Sequence, residues 1–182
     1  MSIKSVVKMG NQQLAKPSLL VKDFSSKALI DLINDMKDTM SINKGVGIAA
    51  PQLGCNLRVI MFGFDHNTRY PNEKPIPFTI IINPVYKQLS QEMEEGWEGC
   101  LSVPGLRGIV SRYKQIQYSG FDLCGKPMTG SAEGFHARII QHECDHIEGV
   151  LFPQRIKDMR NFGFEEEIAN QIPGVPILRT QL

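Results

Sequence analysis

The chain has 182 residues, 42% of them hydrophobic and 21% charged, which suits a single domain spanning 1–182 that can bury about 70% of its unfolded surface. Twenty Lys+Arg against nineteen Asp+Glu leave a net charge of +1, too weak a field to hold a polyanion by counterion release, so direct nucleic-acid binding is not expected. The opening stretch MSIKSVVKMGNQQLAKPS lacks the apolar core of an export signal, and no apolar run approaches the ~20 residues of a membrane span; the expectation is a cytoplasmic protein with no membrane partner.

The first regular element is an amphipathic helix in SSKALIDLINDMKDTM. Leu29, Leu32, Ile33, Met36 and Met40 fall at helical spacing, and Ser25 or Ser26 is available as N-cap. It gives way to NKGVGIAAPQLG, where Gly45, Gly47 and Gly54 permit backbone conformations closed to other residues. That loop can approach a ligand closely. Strand-type runs follow at 57–64, 78–84 and 113–121, with the polar, proline-rich DHNTRYPNEKPIP between the first two reading as a surface loop. Helical periodicity returns from Glu133 to about Glu148, and Gly149 is placed to end it. Beyond Phe152, FGFEEEIANQ suits a short helix, and Pro173 and Pro176 favour an irregular tail. The order helix, strands, helix, tail indicates an α+β domain.

The second helix contains QHECDHIEG, residues 141–149. His142 and His146 are four apart, one turn of helix, so both imidazoles reach one face and can share a cation. Glu143 is turned too far round to be an ideal ligand, but its carboxylate can reach a water beside the metal. His-Glu-x-x-His on a helix is the motif of zinc-type hydrolases with the glutamate as general base; the bland alternative is a charged, solvated helix face. His66 in the polar loop and His136 on the helix read as surface or packing residues.

A hydrolytic site of this kind wants a third protein ligand and an open position. No histidine follows His146, and Glu165, Glu166 or Glu167 would serve only in a thermolysin-like arrangement. Cys100 in WEGCLSVPG, next to Gly99 and closely followed by Pro104 and Gly105, is the better candidate. The four cysteines, Cys55, Cys100, Cys124 and Cys144, contain no CxxC pair, which disfavours a four-cysteine zinc site, and without an export signal free thiols are expected.

Three separated motifs, GVGIAAPQ at 45–52, EGCLS at 98–102 and QHECDHIEG at 141–149, resemble those of the peptide deformylases in order and rough spacing. The resemblance implies mostly antiparallel sheets packed around a central helix that carries His-Glu-x-x-His, behind the N-terminal amphipathic helix. It implies a hydrolase that removes formyl from the N-terminal formyl-methionine of new polypeptides, with transient ribosome association. Cys100, His142 and His146 are the implied ligands of one divalent ion, usually ferrous iron (Fe2+), with zinc, nickel or cobalt able to substitute. Glu143 is the implied proton carrier, and the Gln52 side chain and Leu101 backbone N–H are the implied donors to the oxyanion. Gly45, Val46 and Gly47 would lie along the substrate peptide, Trp97 and Gly99 would line its groove, and Phe135 and Ile139 would face the methionine side chain, with plain packing the alternative for Trp97, Phe135 and Ile139. Asp145 and Glu98 stand open between orienting the imidazoles and ordinary ion pairing, and Cys144 reads as buried packing. A near alternative is a deacylase of different acyl preference, and a more distant one is a metal-stabilised binding module.

Overall fold

A computed structural model describes residues 4–68 and 70–171. Its regular elements are α1 (Lys27–Ile42), β1 (Gly47–Ala49), β2 (Val59–Phe64), β3 (Ile76–Gln88), β4 (Met93–Cys100), β5 (Val103–Tyr113), β6 (Gln115–Phe121), β7 (Pro127–Glu133), α2 (Gly134–Ile147), β8 (Phe162–Phe164) and α3 (Glu165–Gln171), with short 3-10 turns between them. The strands form a five-stranded sheet in the order β1-β2-β3-β6-β7 and a three-stranded sheet in the order β4-β5-β8. Every strand pairing within the two sheets is antiparallel.

In α1 the five apolar residues at helical spacing are all buried. Ser26 caps the helix, its hydroxyl accepting from the Leu29 N–H at 3.4 Å, which satisfies one of the donors a helix start leaves open. The apolar run of β2 serves two cores by strand alternation. Val59 and Met61 join Met36, Met40 and Ile48 on the α1 side. Ile60 and Phe62 join Ile116, Ile140, Cys144 and Ile147 on the α2 side. With both faces covered, an unbroken hydrophobic segment is stable as a strand. A third, smaller cluster gathers Leu14, Val103, Val110, Leu151 and Phe152 around β5.

Sequence reading recognised the strand character of β2, β3 and β6 but underestimated the rest. β3 begins at Ile76, inside the stretch read as loop, and runs to Gln88; a bulge between Ile82 and Val85 lets one long strand serve both β2 and β6. Asn83 sits there at φ 53 and its side chain bonds the Val21 backbone N–H and C=O at 2.9 and 3.0 Å. β4, β5 and β7 are rich in Glu, Arg, Gly and Ser, and their propensity is correspondingly weak. The FGFEEEIANQ stretch divides into β8, paired to β5, and α3. The tail from 172 onward, with both prolines, lies outside the described residues. All four cysteines are free, and no helix among the described residues is long and apolar enough to cross a membrane.

His136, on the first turn of α2, packs against Phe62 and Tyr118 with ring centroids 5.4 and 6.2 Å away. Burial holds its imidazole below the usual range. The unfolded chain therefore takes up a proton that the folded chain refuses: the stability is fully present above about pH 6.5 and is lost as pH falls towards the lower folded value. We expect the fall in thermal midpoint between about pH 7.5 and 5.5 to be smaller in His136→Gln than in the parent, measured by circular dichroism; an equal fall would show that His136 does not carry the effect.

Candidate active site and metal centre

β4 and α2 converge on three ligating groups. His142 and His146 lie one turn apart on α2 with ring centroids 5.0 Å apart, and Cys100 ends β4 opposite them. One ligand atom from each of Cys100, His142 and His146 falls within 4.8 Å of the others, and the Cys100 Sγ is 3.2 Å from His146 Nε2. Ligand atoms around a tetrahedral zinc-sized ion stand about 3.5 Å apart, so the three require only small adjustment to share one. His142 Nδ1 is 2.8 Å from Glu98 Oε2, which leaves its other nitrogen as the donor. The His146 Nδ1 is buried without a partner among the described residues. A thiolate and two imidazoles fit a divalent transition metal.

Behind the triad is a buried network of charge. Glu98, 4% exposed, accepts from Arg112 Nε and Nη2, both at 2.9 Å, and from Arg138 Nη1 at 3.0 Å, in addition to facing His142. Burial opposes its charge, but the hydrogen bonds from Arg112 and His142 hold its carboxyl well below the usual range. The third Arg112 nitrogen donates to Asp145, which also accepts from Arg155 at 2.7 and 3.1 Å. The two open carboxylates thus separate in role: Glu98 orients His142, while Asp145 fixes the arginine that fixes Glu98. Gly96 makes room for this network, since a Cβ there would lie 2.9 Å from the Arg138 guanidinium. Arg138 was missed in sequence although it stands four residues before His142, on the same helix face. Arg112 carried no comparable signal.

Glu143 lies on the pocket side, 4% exposed. Burial pushes its carboxyl up to about 7 against the opposing His142, and its Oε2 has no partner among the described residues. A Cβ at Gly47 would fall on this carboxylate, so the bare backbone of β1 is what admits it. Gln52, in the 3-10 turn after β1, accepts from the Ala49 N–H at 2.8 Å and directs its amide towards Ser102 Oγ at 3.2 Å and Cys100 Sγ at 3.5 Å. The cavity in front of them is lined by Gly45, Val46, Gly47, Trp97, Gly99, Leu101, Phe135 and Ile139, with Cys100, His142 and Glu143 at its base. Tyr70, from the loop read as plain surface, lines it too, its ring centroid 4.6 Å from that of Phe135; no sequence signal singled it out. Cys144 is buried on the opposite face of α2. Glu165 does not join the three ligand groups and is paired instead with Arg107.

A family model described as polypeptide deformylase matches residues 3–162. Peptide deformylase 2 of Ralstonia nicotianae is 49% identical over 171 residues, 94% of this chain and 97% of that protein. Peptide deformylase 1 of Bordetella pertussis is 51% identical over 164 residues, 90% and 93% of the two. Among solved structures, a Met-Ala-Ser-bound class I type b peptide deformylase from Acinetobacter baumannii superposes with a TM-score of 0.80 at 36% identity, covering 85% of this chain and 100% of that one. Peptide deformylase from Thermotoga maritima gives 0.76 at 31% identity, covering 87% and 100%.

Removing one partner of a buried ion pair leaves an uncompensated charge, at a typical cost of about 3–5 kcal/mol. Arg112→Met removes two of the three arginine bonds to Glu98 and one of the two arginines on Asp145, and we expect a loss in that range by urea unfolding. Arg155→Met removes a half-exposed arginine, 47% by side chain, and is expected to cost about 1 kcal/mol or less. Equal losses would show that burial does not set the weight of the network.

Proposed function

Because this chain belongs to the polypeptide deformylase family, we propose that it hydrolyses the N-formyl amide of formyl-methionyl polypeptides in this cavity and releases formate. The observation that carries the reading is the buried Glu143 carboxylate, with one oxygen unpartnered, set between three clustered ligand groups and the bare backbone of Gly47. A structural metal site has no use for such a group.

Cys100, His142 and His146 would hold the cation, with Glu98 fixing the ring of His142. A bound divalent ion supplies the positive charge that acidifies a water near neutral pH and polarises a carbonyl. Glu143 takes the proton from the attacking water and delivers it to the departing amine, so one carboxylate serves as base and then acid. The Gln52 amide and the Leu101 N–H donate to the formyl oxygen as it gathers negative charge. β1 and β4 are both edge strands of their sheets, so Gly45, Val46 and Gly47 on one side and Trp97 and Gly99 on the other can bracket an extended peptide by strand addition. Phe135 and Ile139 form the apolar end that receives the methionine side chain. Ferrous iron is the proposed physiological ion, with zinc, nickel or cobalt as substitutes, since one sulfur and two nitrogens suit each of them. The whole chain, 1–182, acts as one catalytic unit, with antiparallel sheets around the helix that carries the motif and α1 ahead of them. New polypeptides as substrate imply a cytoplasmic setting and transient ribosome association.

Anaerobically purified, metal-loaded protein is expected to release formate from formyl-Met-Ala-Ser and to leave the acetylated peptide intact; cleavage of both alike would make it a general deacylase. Glu143→Ala is expected to lose about 10²–10⁴-fold in kcat with metal content unchanged, and full activity would remove Glu143 from its role. Gln52→Leu is expected to lose about 10²-fold or more in kcat. Cys100→Ala is expected to lose the metal, as measured by elemental analysis, and retention of a full equivalent would overturn the ligand set.

A further inference from the structure

Arg107, on β5, is 1% exposed and heads the fully buried side chains by volume. Its Nε donates to Glu165 Oε1 at 2.8 Å, and Glu165 is itself 4% exposed. The guanidinium carbon lies 5.8 Å from the centroid of the Tyr70 ring, and Tyr70 packs on Phe135 in the wall of the cavity. Arg107 also pairs across the strands with Gly99, another residue of that wall. Glu165 stands three residues past the end of the family match at 162, where β8 pairs with β5 and brings α3 against it.

We propose that Glu165 is a positioning residue for substrate, acting through Arg107 and Tyr70 on the pocket for the methionine side chain. A guanidinium buried to this degree needs its carboxylate. Its Nη1 already lacks a partner among the described residues, so the Glu165 bond is what keeps the group in place. Without it, Arg107 turns towards water, the cation leaves the face of Tyr70, and the ring that supports Phe135 loses its backing. The segment after 162 is thereby coupled to the pocket although none of its described residues lines it. The kinetic consequence rests on the deformylase reading; the coupling itself does not.

With the metal-loaded full chain, Glu165→Gln is expected to raise KM for formyl-Met-Ala-Ser about three- to tenfold, the scale of one lost cation–π contact, with kcat little changed. Selectivity for formyl-Met over formyl-Ala peptides is expected to fall in step. Tyr70→Leu is expected to reproduce the rise and to add nothing to it when combined with Glu165→Gln. Thermal midpoints read without substrate are expected to be non-additive for the Tyr70→Leu and Glu165→Gln pair. If Glu165→Gln folds poorly, Arg107→Leu/Glu165→Leu removes both charges while keeping the site apolar, and the same raised KM is expected. Unchanged KM and selectivity in the folded variants would reduce the pair to a stabilising strut and overturn the proposal, as would additive midpoints. A parent protein that released no formate would instead defeat the deformylase reading, with the midpoints still deciding the coupling.

Discussion

Glu98 is the constraint on which the site depends. Its carboxylate is the meeting point of β4, which carries it, β5, which supplies Arg112, and α2, which supplies Arg138 and His142. An ionised group at this depth is tolerated only when nearly all its lone pairs are used, and here four hydrogen-bonding groups use them. Each approaches from a fixed direction, so the carboxylate sets both the register of α2 against the β4–β5 hairpin and the tilt of one imidazole. Cys100 is two residues further along β4, on the same face as Glu98 by strand alternation, so the sulfur is placed relative to the histidines by the same bond. As a source of stability such a network is unremarkable, because apolar residues of equal volume would hold the three elements together as well. What apolar residues would not do is present His142 with one nitrogen occupied and the other free.

The groove is a consequence of what the two sheets leave unpaired. Among the described residues β1 has a neighbour on one side only, and so does β4. Exposed edges invite strand pairing, and these two face each other across the ligand cluster. β1 is only three residues long, which limits uncontrolled pairing while leaving enough backbone to guide a peptide. Its glycines have a second use. Glu143 occupies the volume that a side chain at Gly47 would need, so the same bareness that opens the edge also lets a carboxylate project from α2 into the groove. Buried there, the carboxyl is held near the middle of the pH range, which suits the proposed transfer of a proton in both directions.

The parts of the site that were legible in sequence are those set by local geometry. Four residues between histidines is one turn of helix, and glycines around small apolar residues announce a close approach; the family resemblance supplied Gln52 and Leu101. The helices α1 and α2 and the apolar strand β2 were readable for the same reason, because each carries a periodic pattern. Arg112, Arg138 and Arg107 were not, since an arginine in isolation reads as solvated surface, and its burial depends on carboxylates 14, 40 and 58 residues away in sequence. Asp145 was ambiguous on the helix because its partners, Arg112 and Arg155, come from other elements. β4, β5 and β7 escaped notice because their residues are chosen for pairing and for room around buried charge rather than for strand propensity. Gly96, for example, is bare to admit Arg138.

Tyr70 carries the same lesson into the loop. Polar, proline-rich composition places DHNTRYPNEKPIP outside the sheets, which holds for its described residues up to Pro75 and fails at Ile76 and Pro77, and it does not say where the side chains point. Asn67 is 6% exposed and donates to the Lys44 carbonyl at 3.1 Å, which ties the loop to the turn leading into Gly45. From that anchor Tyr70 reaches Phe135 and the Arg107 guanidinium, so a loop segment closes one side of the cavity. The Tyr70 side of the cavity is therefore backed by three weakly patterned pieces: a polar loop, a charged strand and the segment beyond residue 162. Each contributes one side chain whose position only the other two explain. In the proposed reaction the catalytic geometry rests on the rigid helix and its buried carboxylate, whereas the shape of the cavity wall around Tyr70 rests on contacts between elements far apart in sequence. Substitutions that alter selectivity should therefore be found well outside the three motifs that identify the family.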